Sequence, residues 1–86
     1  MSPSRYDVFL HLDLLESVPK RGDARRQIMQ FIASLRDHPR TPGDFTNKDS
    51  SMRIREVRII ADYAITYWLD DPVKAVMIVD IQLADR

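Results

Sequence analysis

The chain reads as an α+β fold: a small antiparallel (meander) β-sheet with one main amphipathic helix packed on one face. Three observations predict it. Only residues 23–37 repeat apolar side chains at three- and four-residue steps, three strand-like segments follow one another after residue 52, and the joints between those segments are short. Short joints between consecutive strands force reversal of direction.

In order, residues 6–12 set Val8, Leu10 and Leu12 against Phe9 and His11, a strand with one face more apolar than the other. Residues 13–17 suit one or two helical turns before Pro19. The main helix is predicted over 23–37, with Asp23 as N-cap and Ala24, Ile28, Phe31, Ile32 and Leu35 on its apolar stripe. His38-Pro39 ends it, because proline excludes the helical conformation from the residue before it. Residues 40–51 read as a long connection with Phe45 as its only large apolar anchor.

The three later strands are predicted at 52–59, 63–69 and 73–83. Asp70-Asp71-Pro72 is turn chemistry, whereas Ile60-Ala61-Asp62 is a turn without the usual glycine. The last strand is apolar on both parities, with Val76 and Ile78 between Val73, Ala75, Met77, Val79 and Ile81, so it is expected inside the sheet, paired on both sides and covered by the helix. In the strand at 52–59, Met52 and Ile54 oppose Arg53 and Arg55, but Val57 and Ile59 then take the arginine parity. That change predicts a β-bulge near Glu56-Val57, which would bring Arg53, Arg55 and Arg58 to one face.

A chain of 86 residues builds one core, so a single domain spanning 1–86 is expected. With 44% hydrophobic and 30% charged residues it has the profile of a folded chain. Cysteine is absent, which removes disulfides and thiolate metal sites. No signal-peptide pattern opens the chain, and its most apolar stretch is broken by Lys74, Asp80 and Gln82; a cytoplasmic protein without membrane contact is expected.

Thirteen basic and thirteen acidic residues cancel. Their distribution is uneven, because residues 20–58 carry ten basic and five acidic residues while both flanks are net acidic. A polarised chain presents a cationic surface at zero total charge.

Little else carries chemistry. His11 and His38 have no carboxylate pair at metal-ligand spacing, Asp70-Asp71 precedes a proline, and Ser50 and Ser51 lack a base, so no metal and no cofactor is expected. Gly22 and Gly43 are too few for a phosphate loop. Tyr63, Tyr67 and Trp68 read as sheet residues, with Tyr67 and Trp68 on opposite faces. Arg53-Ile54-Arg55 offers two permanently charged forks to a phosphate. The simpler account of the same spacing is a solvated edge strand kept apart from neighbours by charge.

The order of strand, helix, Leu35-x-x-x-Pro39, Gly43-Asp44-Phe45, Arg53-Ile54-Arg55, the run from Asp62 through Trp68, Val76-Met77-Ile78-Val79-Asp80-Ile81 and Ala84-Asp85-Arg86 resembles the RelE/ParE superfamily of toxins from type II toxin-antitoxin systems. The resemblance covers nearly the whole chain and implies a curved sheet with helices on one face and a cognate antitoxin partner. In the RelE branch it implies ribosome-dependent cleavage of mRNA, with Arg53, Arg55 and Arg86 as catalytic groups at the scissile phosphate and Lys48 and Arg58 as RNA-binding contacts. Two departures weigh against catalysis. Tyr63-Ala64 stands where the family pattern has Tyr-Arg, and Arg86 is the last residue before the position where many relatives carry a tyrosine or histidine. The alternative is a non-catalytic binding protein, either a ParE-like inhibitor of DNA gyrase or a remnant that only pairs with an antitoxin.

Overall fold

The computed structural model describes residues 5–84. In chain order they form β1 (Asp7–Leu10), a 3₁₀ segment (Leu12–Ser17), α1 (Asp23–Ser34), β2 (Phe45–Lys48), β3 (Ile54–Ile60), β4 (Tyr63–Asp70), a 3₁₀ turn (Asp71–Val73) and β5 (Ala75–Leu83). The strands make one sheet in the order β1-β5-β4-β3-β2.

From β2 to β5 neighbours are antiparallel, but β1 runs parallel to β5, with Asp7 opposite Ala75 and Leu10 opposite Ile78. The meander therefore holds only for strands joined by short connections, and the all-antiparallel expectation fails at β1. Short-turn reasoning fixes the direction of consecutive strands alone; β1 reaches β5 from across the chain. β5 is paired on both sides, as its two-sided apolar sequence requires.

Ile28 and Ile32 of α1 and Leu35 at its C-cap share a buried cluster with Ile65 and Tyr67 of β4 and Val76, Ile78 and Ile81 of β5, with Val18 completing it. Phe31 meets the Tyr67 ring edge-on at 5.6 Å between centroids. The helix begins one residue earlier than predicted capping implies. Gly22 is the N-cap, at φ 97°, and Asp23 is the first helical residue, bonded to Arg26 instead of to the free amides. The helix also ends sooner, at Ser34, since Leu35, Arg36 and Asp37 each donate to the carbonyl three residues back, a tightened last turn.

The connection expected over 40–51 contains a strand. β2 pairs with β3 from Phe45 opposite Val57 to Lys48 opposite Ile54. Every residue of β2 is exposed, Phe45 to 52%, so Phe45 is not a buried anchor and backbone pairing holds the segment. Three bonds fix its start: Gly43 N–H to Glu56 Oε1 at 2.8 Å, Asp44 N–H to the Val57 carbonyl at 2.7 Å, and Ile59 N–H to Asp44 Oδ2 at 2.7 Å.

β3 has no bulge near Glu56-Val57. Its register runs unbroken against both β2 and β4. The irregularity lies between β4 and β5 instead: Thr66 faces Asp80 and Tyr67 faces Ile78, leaving Val79 as the extra residue. The inference failed because it assumed an apolar roof over all of β3. Glu56 and Arg58 do point to the helix side, but there they meet the polar connection from α1, Glu56 through Gly43 and Arg58 through the Pro42 carbonyl at 3.2 Å.

The β3–β4 reversal uses Ala61 and Asp62, both at positive φ, 50° and 70°, a two-residue hairpin turn made without glycine. Among the described residues no helix is long and apolar enough to cross a membrane.

Candidate functional site

The helix packs on one face of the sheet and leaves the other open, although Val57 and Thr66 are buried there, at 3% and 6% exposure. Register assigns the sides: Tyr63, Ile65, Tyr67 and Leu69 share the helix side with Ile60, Arg58 and Glu56, while Ala64, Thr66 and Trp68 look the other way with Ile59, Val57 and Arg55. From β2, Phe45 and Asn47 join the open face, opposite Val57 and Arg55. Phe9, paired with Met77, adds an apolar residue at the far side.

Two arginines gather at one corner of this face. Arg53 precedes β3 and lays its guanidinium over the Trp68 ring, 3.9 Å from the centroid. Its Nη1 lies 3.5 Å from Asp49 Oδ2. Arg55 follows on the strand and donates from Nε to Asn47 Oδ1 across the ladder at 2.9 Å. That bond uses one edge of the fork and is the only hydrogen bond of its side chain among the described residues, so the amino groups remain for a ligand.

The loop between β2 and β3 is shaped to deliver Arg53. Asp49 Oδ1 accepts the N–H of Ser51 at 2.8 Å and of Arg53 at 2.9 Å, and the Asp49 carbonyl accepts from Met52, which sits at φ 66°. The Arg53 amide first, then the Ser51 amide and the charges of Arg53 and Arg55, hold the Asp49 carboxyl below its usual range despite its desolvation. It is a fixed anion and a poor proton acceptor at neutral pH.

Arg58 does not join them. It lies on the helix side, hydrogen-bonded to Pro42 and 5.8 Å from the Phe31 ring centroid, tying strand to connection. A regular strand puts residues 55 and 58 on opposite sides, which corrects the expectation of three arginines on one face. Lys48 is exposed at the end of β2, opposite Ile54 and on the other parity from Asn47. Arg86 lies outside the described residues.

Neither histidine lies beside the arginine pair, and Tyr6 and Tyr67 are engaged away from it. Tyr67 is buried on the helix side and donates to the Thr41 carbonyl at 2.8 Å, and burial, helped by the charges of Glu56 and Asp44, pushes its phenol up to about 12. Tyr6 donates to Asp71 Oδ1 at 2.7 Å, beside Arg40, whose two amino groups bridge the same carboxylate at 2.9 and 3.3 Å. His11 is exposed after β1, its Nδ1 accepting from the Asp13 amide, and His38 is exposed beyond α1. Among the described residues no three of His, Asp and Glu gather as metal ligands.

Arg53 and Arg55 share one face as their spacing predicts, whereas their neighbours Asn47 and Asp49 carry no signal in the sequence. Alternation puts Trp68 on the face opposite Tyr67, whereas its contact with Arg53 is formed by a residue just outside β3, held by the Asp49 turn. Asn47 was missed with the whole of β2.

No family model matches the chain, and no curated protein matches it. Among solved structures it is similar to a chain of the archaeal RelE-RelB complex from Pyrococcus horikoshii OT3, at 22% identity and a TM-score of 0.69, over 94% of this chain and 97% of that one. At this identity the likeness is one of fold: the chain has the α+β architecture of a RelE-like protein, with a mixed sheet and its main helix on one face.

Proposed function

We propose that this chain is a toxin-like member of the RelE/ParE superfamily, paired with an antitoxin-like protein, whose open sheet face binds RNA in the cytoplasm. One observation carries the reading: on a RelE-like fold, Arg53 and Arg55 meet at one corner of the uncovered face, with Asn47 and Trp68 beside them. Guanidinium forks suit phosphate, and an indole suits an unstacked base. An antitoxin-like partner is supported by the RelE-RelB complex to which the fold is similar and by the apolar groups the open face leaves in water, Phe9 and Phe45 each 52% exposed.

A non-catalytic role is favoured over efficient cleavage by a separate observation. Among the described residues the only carboxylate in ion-pair contact with either arginine is Asp49, already committed to two backbone amides and Arg53, and Tyr67 is on the other side of the sheet. Stabilising charge at a phosphate is within reach of these residues. Moving its protons needs a group they do not include.

The test is induced expression of the chain with and without its neighbouring gene, with purified protein then added to translating ribosomes. Growth arrest, relief by the partner, and association with RNA that an Arg53→Ala, Arg55→Ala double variant loses are the expected results. Absence of RNA association by the intact chain would remove the RNA reading, and failure of translation to respond while supercoiling collapses would move the target to gyrase.

A further inference from the structure

Arg53 and Arg55 are equal in charge and unequal in surroundings. Arg55 keeps its amino groups free and has no carboxylate within ion-pair distance among the described residues, whereas Arg53 has Asp49 at 3.5 Å. An arginine already facing a fixed anion gains less from a phosphate, because the approaching charge meets that carboxylate too. Instead, Arg53 has a plane held in place. Its guanidinium carbon lies over the Trp68 ring, 3.9 Å from the centroid, its amide is fixed by Asp49, and its side chain is still 47% exposed.

A guanidinium held over an indole can serve as a stacking platform. Unstacked nucleobases lie on arginine planes as they do on aromatic rings, and the indole beneath holds the guanidinium by cation–π attraction, so little order is lost when a base arrives. Arg55 is on the same open face, with its amino groups available to hold the backbone of that nucleotide. Resting on the RNA reading above, we infer that Arg53 and Trp68 form a base-stacking subsite for single-stranded RNA, with Arg55 as the phosphate contact. The two arginines thus have divided roles, one reading a π-face and the other a charge.

Trp68 is the sole tryptophan, so its emission reports this corner alone. The experiment titrates the full chain with a short oligoadenylate RNA and with an abasic ribose-phosphate strand of the same length, reading affinity by anisotropy and stacking by Trp68 emission. Oligoadenylate should bind more tightly by roughly 5- to 150-fold, the range of one stacked base, and shift Trp68 emission, while the abasic strand binds without a shift. Arg53→Lys keeps the charge and removes the plane, so it should erase most of that preference with little effect on the abasic strand. Arg55→Ala should weaken both strands alike. Equal affinity for the two strands, or an Arg53→Lys variant that keeps the preference, overturns the subsite and leaves the RNA reading intact. Binding to neither strand overturns both.

Discussion

Gly43 and Gly22 are the chain's two glycines, and each is required for a different physical reason. A Cβ on Gly43 would lie 2.5 Å from the Val57 carbonyl oxygen and 2.7 Å from its nitrogen, backbone atoms that cannot swing aside. A Cβ on Gly22 would meet nothing within 4 Å, but its φ of 97° is a conformation other residues adopt only under strain. Both alanine variants should lower stability by about 1–3 kcal/mol, one by overpacking and one by backbone strain. Urea unfolding separates them. Gly43→Ala should also weaken hydrogen-exchange protection where β2 joins β3, and Gly22→Ala should leave that protection as it is. Tyr67 gives a residue-scale pH dependence. Its folded-state pKa, about 12, lies above the ordinary value near 10, so the folded chain holds that proton more tightly than the unfolded one. The stability this contributes is complete below about pH 10 and is lost as pH rises from there toward 12. Tyr67→Phe should abolish that alkaline loss while costing about 1 kcal/mol at neutral pH from the hydrogen bond to Thr41. An unchanged alkaline limb in Tyr67→Phe would show that another group causes it.

At the scale of elements, what was legible in the sequence is what burial writes there. α1 has a periodic stripe, β5 is apolar on both parities, and both contribute their apolar side chains to the one buried cluster. β2 has no such pattern, because Phe45-Thr46-Asn47-Lys48 is an edge strand whose side chains are all exposed, and only its amides and carbonyls make it a strand. The same silence explains β3: the sequence shows neither the neighbouring β2 nor the polar connection above, so Glu56 and Arg58 break the alternation and mimic a bulge. The bulge that exists, at Val79, is hidden because β5 is apolar on both parities and a one-residue slip changes nothing visible. The attachment of β2 is open to test through Asp44, the residue before the strand, whose carboxylate takes the Ile59 amide of β3. Asp44→Ala should leave the α1 core folded and raise hydrogen exchange at Ile59 sharply, with a smaller rise along β2. Protection at Ile59 equal to that of the native chain would mean another acceptor takes its place.

Across the whole molecule, the sheet separates two chemistries. The helix side holds the hydrophobic core together with Tyr67 and Arg58, where a phenol is kept protonated and a guanidinium is used as a strut. The open side holds Arg53 and Arg55, two of the ten basic residues of 20–58. Cleavage of RNA through its 2′-hydroxyl needs a base for the nucleophile, an acid for the leaving oxygen and stabilisation of the charge between them, and acid–base help is typically worth about 10² to 10⁴ in rate. Arginine supplies only the stabilisation, since it remains protonated in proteins. Asp49 is held ionised by its amides, Tyr67 is across the sheet, and His11 is exposed at the β1 side of a sheet in which β3 lies beyond β5 and β4. With translating ribosomes, the chain should therefore bind while cleaving about 10²- to 10⁴-fold more slowly than a relative equipped with both proton-transfer groups. Whatever cleavage remains should be flat across neutral pH and unaffected by His11→Ala, because no imidazole takes part. Rapid cleavage that follows the titration of a histidine and disappears in His11→Ala would show that the ribosome brings the two sides of the sheet into one site, and the division of chemistry between them would fall.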